Sequence, residues 1–122
     1  MKTIVAVLLL LLSFRDSYAC DCNTIKGLKE CDVAFNGKVL SIQRVDSVIV
    51  YYEITFAIDT VVKGKISNQN VTIIMPCLQD GCCGIPMHIN DKFAVFAYIE
   101  DVGYNIGKRL QTDQCWETRK IQ

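Results

Sequence analysis

The chain has little of what most catalytic and nucleic-acid-binding sites are built from. Its 122 residues include one histidine (His88), one tryptophan (Trp116) and two prolines (Pro76 and Pro86). A single histidine leaves little room for a His-based metal cluster or a His-rich catalytic site. Neither sign of charge is in excess, with 13 Lys and Arg against 13 Asp and Glu. A nucleic-acid-binding domain would carry a marked basic surplus. The carboxylates are scattered and show no convergent pair for acid–base work. There is no internal repeat and no low-complexity stretch, and the length allows one domain, not two.

A long hydrophobic run is also missing. The longest uncharged, mostly apolar stretch is Thr3 to Phe14, which is 12 residues. A membrane-spanning helix needs roughly 17–25. Met1-Lys2 precedes this stretch as a short basic segment, and Ser17-Tyr18-Ala19 follows it with small residues where a signal peptidase reads. The pattern is that of a secretory signal peptide covering 1–19, with cleavage after Ala19. A buried N-terminal helix and a lipoprotein signal are the competing readings. The second normally wants Leu where Ser17 stands. Taking 19 residues from 122 leaves 103, and the loss of Lys2, Arg15 and Asp16 leaves 11 basic and 12 acidic side chains, a net charge of −1. No second hydrophobic span follows, so the product is expected to be secreted, extracellular, without a membrane span and monomeric.

What is present in quantity is cysteine. Seven occur, at 20, 22, 31, 77, 82, 83 and 115, and all lie beyond the signal segment. In a secreted chain this density reads as a disulfide framework with one thiol over. The alternatives are a structural zinc site and a thioredoxin-like redox motif. The first wants C-x2-4-C knuckles and the second C-x-x-C ahead of a helix. Here the close pairs are Cys20-x-Cys22 and Cys82-Cys83.

The rest of the chain reads as β. Val33–Val45 and Val48–Val62 are rich in β-branched and aromatic residues, with Asp46-Ser47 as a tight turn between them. Val71–Met75 is a third strand stopped by Pro76. Cys77–Asp91 is a long loop, Lys92–Ile99 a nearly continuous apolar strand, and Asn105–Leu110 a short fifth. Thr24–Glu30 has a weak helical claim, limited by Gly27. The expected fold is all-β: a five-stranded, OB-fold-like, closed or partly open barrel with a short N-terminal helix, stapled by disulfides. Asn70-Val71-Thr72 is an N-glycosylation sequon. His88 reads as a solvated loop residue, and Trp116 as packing rather than a binding anchor.

Cleavage after Ala19 would make Cys20 the first residue, with a free α-amine. Such an amine has a pKa of about 7.7–8.0, so a fair fraction is neutral at physiological pH. Its nitrogen and the Cys20 carbonyl oxygen can point the same way, as a five-membered chelate requires. The pair can fill the open coordination position of a catalytic zinc in another protein and displace the water used for hydrolysis. A ridge clamped by disulfides would lose little entropy in doing so.

These features together resemble the N-terminal, netrin-like (NTR) domain of tissue inhibitors of metalloproteinases. The resemblance runs over most of 20–122. It rests on Cys20-x-Cys22 after a signal peptide with Cys31 about ten residues on. It rests also on Ala34-Phe35-Asn36-Gly37-Lys38-Val39, on Tyr52-Glu53-Ile54 followed by Val62-Lys63-Gly64, on Cys83-Gly84 followed by Phe93–Ala97, and on Thr112-Asp113-Gln114-Cys115. It implies an inhibitor, not an enzyme, with no cofactor of its own and zinc met only in the target, a matrix metalloproteinase or adamalysin-type protease. It implies a reactive site of Cys20, Asp21, Cys22 and Asn23, flanked by Gly81, Cys82 and Cys83, and disulfides Cys20–Cys83 and Cys22–Cys115. Cys31 is then left to pair with Cys77 or Cys82 or to stay free. Cys31–Cys77 is the pairing expected, with Cys82 the spare thiol. The family's second mature residue is usually Thr or Ser and enters a hydrophobic pocket; here it is Asp21, whose unpaired burial is costly. The family's C-terminal domain is not expected. The alternative is a non-inhibitory NTR binding module for extracellular matrix or a signalling ligand.

Overall fold

The computed structural model describes residues 22, 24–78 and 83–121. Six strands follow in chain order: β1 Val33–Asp46, β2 Val50–Lys63, β3 Asn70–Met75, β4 Lys92–Asp101, β5 Lys108–Gln111 and β6 Arg119–Lys120. β1 pairs antiparallel with both β2 and β4, β2 with β3, and β4 with β5. One parallel pair, Ile74 opposite Gln111, joins β3 to β5. The order β1-β2-β3-β5-β4, with β1 returning to β4, is a ring of five strands, and β6 adds to the free edge of β4. Pairing around the ring leaves few open backbone edges. The fold is all-β.

Alternation decides which side chains fill the ring. Val33, Phe35 and Val39 of β1, Ile54 and Phe56 of β2, and Phe93, Val95 and Ala97 of β4 point into one buried cluster with Ile73 and Met75. Phe56 lies at its centre, edge-on to Phe35 with ring centroids 5.5 Å apart and to Phe93 at 6.5 Å. The long connection after β3 is not peripheral. Met87 is 3% exposed inside the same cluster and Ile85 packs against it.

A second, smaller apolar cluster lies outside the ring. Cys31, Ala34 and Trp116 are buried there, with Phe96 and Tyr98 packed against them. It forms because the outward side chains of β4 are covered by two flanking segments, residues 24–32 and 112–118. At Phe96, which lies opposite Ala34 of β1, the other edge of β4 is left open between its β6 and β5 pairings. Two threonines supply what a strand would have offered. The Phe96 N–H donates to Thr118 Oγ1 at 2.8 Å, Thr112 Oγ1 donates to the Phe96 carbonyl at 2.8 Å, and the two hydroxyls bond each other at 2.8 Å. All the hydrogen-bonding groups of this small buried system are thereby met.

Three expectations need correction. Thr24–Glu30 is not a helix. Lys26 is extended, its N–H donating to the Cys115 carbonyl and its C=O accepting from the Glu117 N–H, each at 2.8 Å. With both Lys26 groups bound to another segment, only a single turn from Gly27 remains, closed by Cys31 N–H to Gly27 C=O at 3.1 Å. Cys31 does not pair with Cys77. It is a buried free thiol beside Trp116, whereas Cys77 follows β3, a strand that never neighbours β1, and is itself disulfide-bonded. The fifth strand starts at Lys108, because Gly103, Tyr104, Asn105 and Gly107 all have positive φ and form a turn. Among the described residues no helix is long and apolar enough to cross a membrane.

Candidate functional site

Of the expected reactive-site residues, Cys22 and Cys83 are described; Cys20, Asp21, Asn23, Gly81 and Cys82 lie outside the described residues. One short segment brings the two together. Cys22 is disulfide-bonded to Cys115, with Cα atoms 5.3 Å apart and a separation of 93 positions in sequence. The neighbouring Gln114 N–H donates to the Cys83 carbonyl at 3.0 Å. Cys83 is disulfide-bonded and has a φ of 66°, a left-handed conformation unusual for a side chain of its kind. Its expected partner, Cys20, is outside the described residues.

The segment that carries this junction is itself fixed. Asp113 Oδ1 accepts the Cys115 N–H at 2.8 Å, an Asx turn that sets the direction of the cysteine. Trp116 stacks on Tyr98 with centroids 5.1 Å apart and planes 17° from parallel, and Lys26 Nζ lies 5.8 Å over the indole. At 8% exposure, Trp116 is a packing residue, as its sequence context implies. The turn after Cys83 is equally constrained. A Cβ on Gly84 would overlap the Cys77 carbonyl, so only glycine allows the two backbones to approach this closely.

Beside the bridge is a groove of about 380 Å³ lined by Lys26, Glu30, Tyr98, Glu100, Asp113 and Trp116, with Cys115 at its end. The Tyr98 hydroxyl donates to Asp113 Oδ2 at 3.4 Å. Burial first, and then the negative charges of Asp113 and Glu100, push this phenol from 10.0 up to about 12. A phenol that ionises later in the fold than in the unfolded chain stabilises the fold fully below pH of about 10 and stops doing so as pH rises through about 12. In an alkaline absorbance titration Tyr98 should therefore ionise at a pH of about 12, and Tyr98→Phe should remove that step and flatten the alkaline fall in stability.

The remaining sequence candidates separate. Asn70 is exposed at the start of β3, where a glycan can project into solvent. His88 has an 81% exposed side chain 3.5 Å from Asp91, which also pairs with Lys120. The Cys31 thiol donates to the Leu28 carbonyl at 3.4 Å, and burial pushes its pKa up, which makes it a poor nucleophile. Among the described residues no group of three His, Cys, Asp or Glu side chains is placed to hold a metal.

Sequence reasoning missed Lys26, Tyr98 and Asp113 as supports of the junction. Asp113 two residues before a cysteine is an Asx-turn signal, but the stacking of Tyr98 on Trp116 needs the sheet to exist first. Comparison with family models, with curated proteins and with solved structures gives no match for this chain.

Proposed function

We propose that the chain is a secreted inhibitor of zinc metalloendopeptidases, acting through the α-amine and carbonyl oxygen of Cys20 once the signal segment is removed. The observation that carries this reading is the junction at Gln114-Cys115. One rigid segment holds Cys22 by a disulfide and the Cys83 carbonyl by a hydrogen bond. A segment gripped in this way is what a zinc-chelating ridge requires, because each bond of freedom left in it would weaken binding. In this reading the five-strand ring is an OB-fold-like barrel, closed lightly between β3 and β5. Cys20 is joined to Cys83, and Gly81 and Cys82 flank the ridge. Zinc is supplied by the target alone.

Asp21 sets the target class. Its carboxylate would enter the pocket below the zinc and favours a metalloprotease whose pocket is basic or wide enough to leave it hydrated.

The test compares chains starting at Cys20 with chains carrying one extra Ala before it, against a panel of matrix metalloproteinases and adamalysin-type proteases. The extra residue turns the amine into an amide and removes the lone pair. Inhibition by the first form and its loss in the second are expected. Inhibition by neither form points to a non-inhibitory NTR-type module binding extracellular matrix or a signalling ligand. N-terminal sequencing of secreted protein checks the starting residue.

A further inference from the structure

A shallow depression of about 240 Å³ lies on the outer face of β1, β2 and β4. Lys38, Lys92, Asn36 and Asp59 stand around it, over Gly37 and Ala57. It is remote from the Cys22–Cys115 junction. Lys92 begins β4, whereas Tyr98 of the junction groove is six residues further along the same strand, about 20 Å away at roughly 3.3 Å per residue.

Its charge arrangement is unfavourable for the sheet alone. Lys38 and Lys92 are directly opposite each other in the β1–β4 ladder. Directly opposed side chains have Cβ atoms about 4.5–5.5 Å apart, and like charges so placed repel. Among the described residues neither ammonium takes part in an ion pair. Asp59 is the carboxylate on the rim. It is the extra residue of a bulge, between Ile58 and Thr60, which pair with Gly37 and Asn36. The floor beside the lysines is low, because Ala57, the β2 residue opposite Lys38, contributes only a methyl group.

From these features we propose that the depression binds an oxyanion, the sulfate or phosphate group of a soluble ligand. The two ammonium groups supply the charge and donors, and a tetrahedral anion between them turns a cross-strand repulsion into two charge-assisted contacts. Asp59 opposes the ligand, so neutralising it strengthens binding.

The test is a titration of the ¹⁵N-labelled secreted chain with sodium sulfate, sodium phosphate and sodium acetate at constant ionic strength, followed by amide shifts. Sulfate or phosphate should give saturable shifts centred on Gly37, Lys38, Lys92 and Phe93. Lys38→Gln with Lys92→Gln should raise the dissociation constant by roughly tenfold. Asp59→Asn should lower it by about twofold. Because the double substitution also removes the repulsion, it should fold at least as stably as the parent. A response to sulfate alone assigns sulfate esters, and one to phosphate alone assigns phosphate esters; both support the site. Shifts that do not saturate, that spread over the molecule, that acetate reproduces equally, or that survive the double substitution overturn it.

Discussion

Cys115→Ser should lower the unfolding free energy by about 4–5 kcal/mol, the value that the chain-entropy treatment gives for a bridge spanning 93 residues. The bond ties the start of the described chain to its last tenth; the bridges at Cys77 and Cys83 stay in place when it is removed, so this value is the upper end of the expected loss. The change leaves the main-chain bonds of residue 115 available. Lys26 N–H still has the carbonyl to donate to, and Asp113 Oδ1 still has the amide. Cys22→Ser should therefore cost the same within error, and the double substitution no more than either alone, because both delete one bond. Urea unfolding of the three variants checks this. A loss well below 2 kcal/mol in either single variant would mean that the segments at 24–32 and 112–118 hold each other without the bridge. The same variants bear on inhibition. A ridge released at Cys22 should inhibit far less than its remaining stability alone would predict.

The two long strands were legible because their signal is local. Val33–Asp46 and Val50–Lys63 are dense in β-branched and aromatic residues, and Ser47 closes the turn by bonding the Ile49 carbonyl with both its N–H and its hydroxyl. β4 was legible for the same reason. β6 was not, because two residues, Arg119 and Lys120, carry no pattern and become a strand only by lying against Phe93 and Ala94. The apparent helix at 24–30 failed because its competitor, the Cys115–Glu117 segment, is about ninety residues away in sequence. The burial of Met87 was hidden by the glycine- and proline-rich composition around it, which marks a loop but not where the loop packs. At the site, the resemblance alone pointed to Cys22–Cys115, and the bond is formed. The fate of Cys31 could not be read in that way. A thiol pairs only if a second one comes within reach, and Cys31 is enclosed by Ala34 and Trp116 instead.

Phe56→Ala should cost about 3–5 kcal/mol, the range for removing a large aromatic from a packed core. Phe56 is fully buried and is the ring that both Phe35 and Phe93 meet edge-on. Its removal leaves a void bordered by side chains from three strands of a closed ring, which cannot collapse independently. The cost should therefore fall in the upper part of that range, and Phe56→Leu, which refills most of the volume, should recover more than half of it. Thermal or urea unfolding gives both values. The comparison with Cys115→Ser separates stability from function. The aromatic cluster lies inside the ring, whereas the Cys22–Cys115 bridge and the Tyr98–Trp116 stack lie outside it. Two variants of similar stability loss should then differ in inhibition. Phe56→Ala, assayed where it remains folded, should keep the potency of the parent, because neither the bridge nor the Gln114–Cys83 hydrogen bond is touched. Cys115→Ser should not. Equal loss of potency in both would show that inhibition follows overall stability and not the ridge.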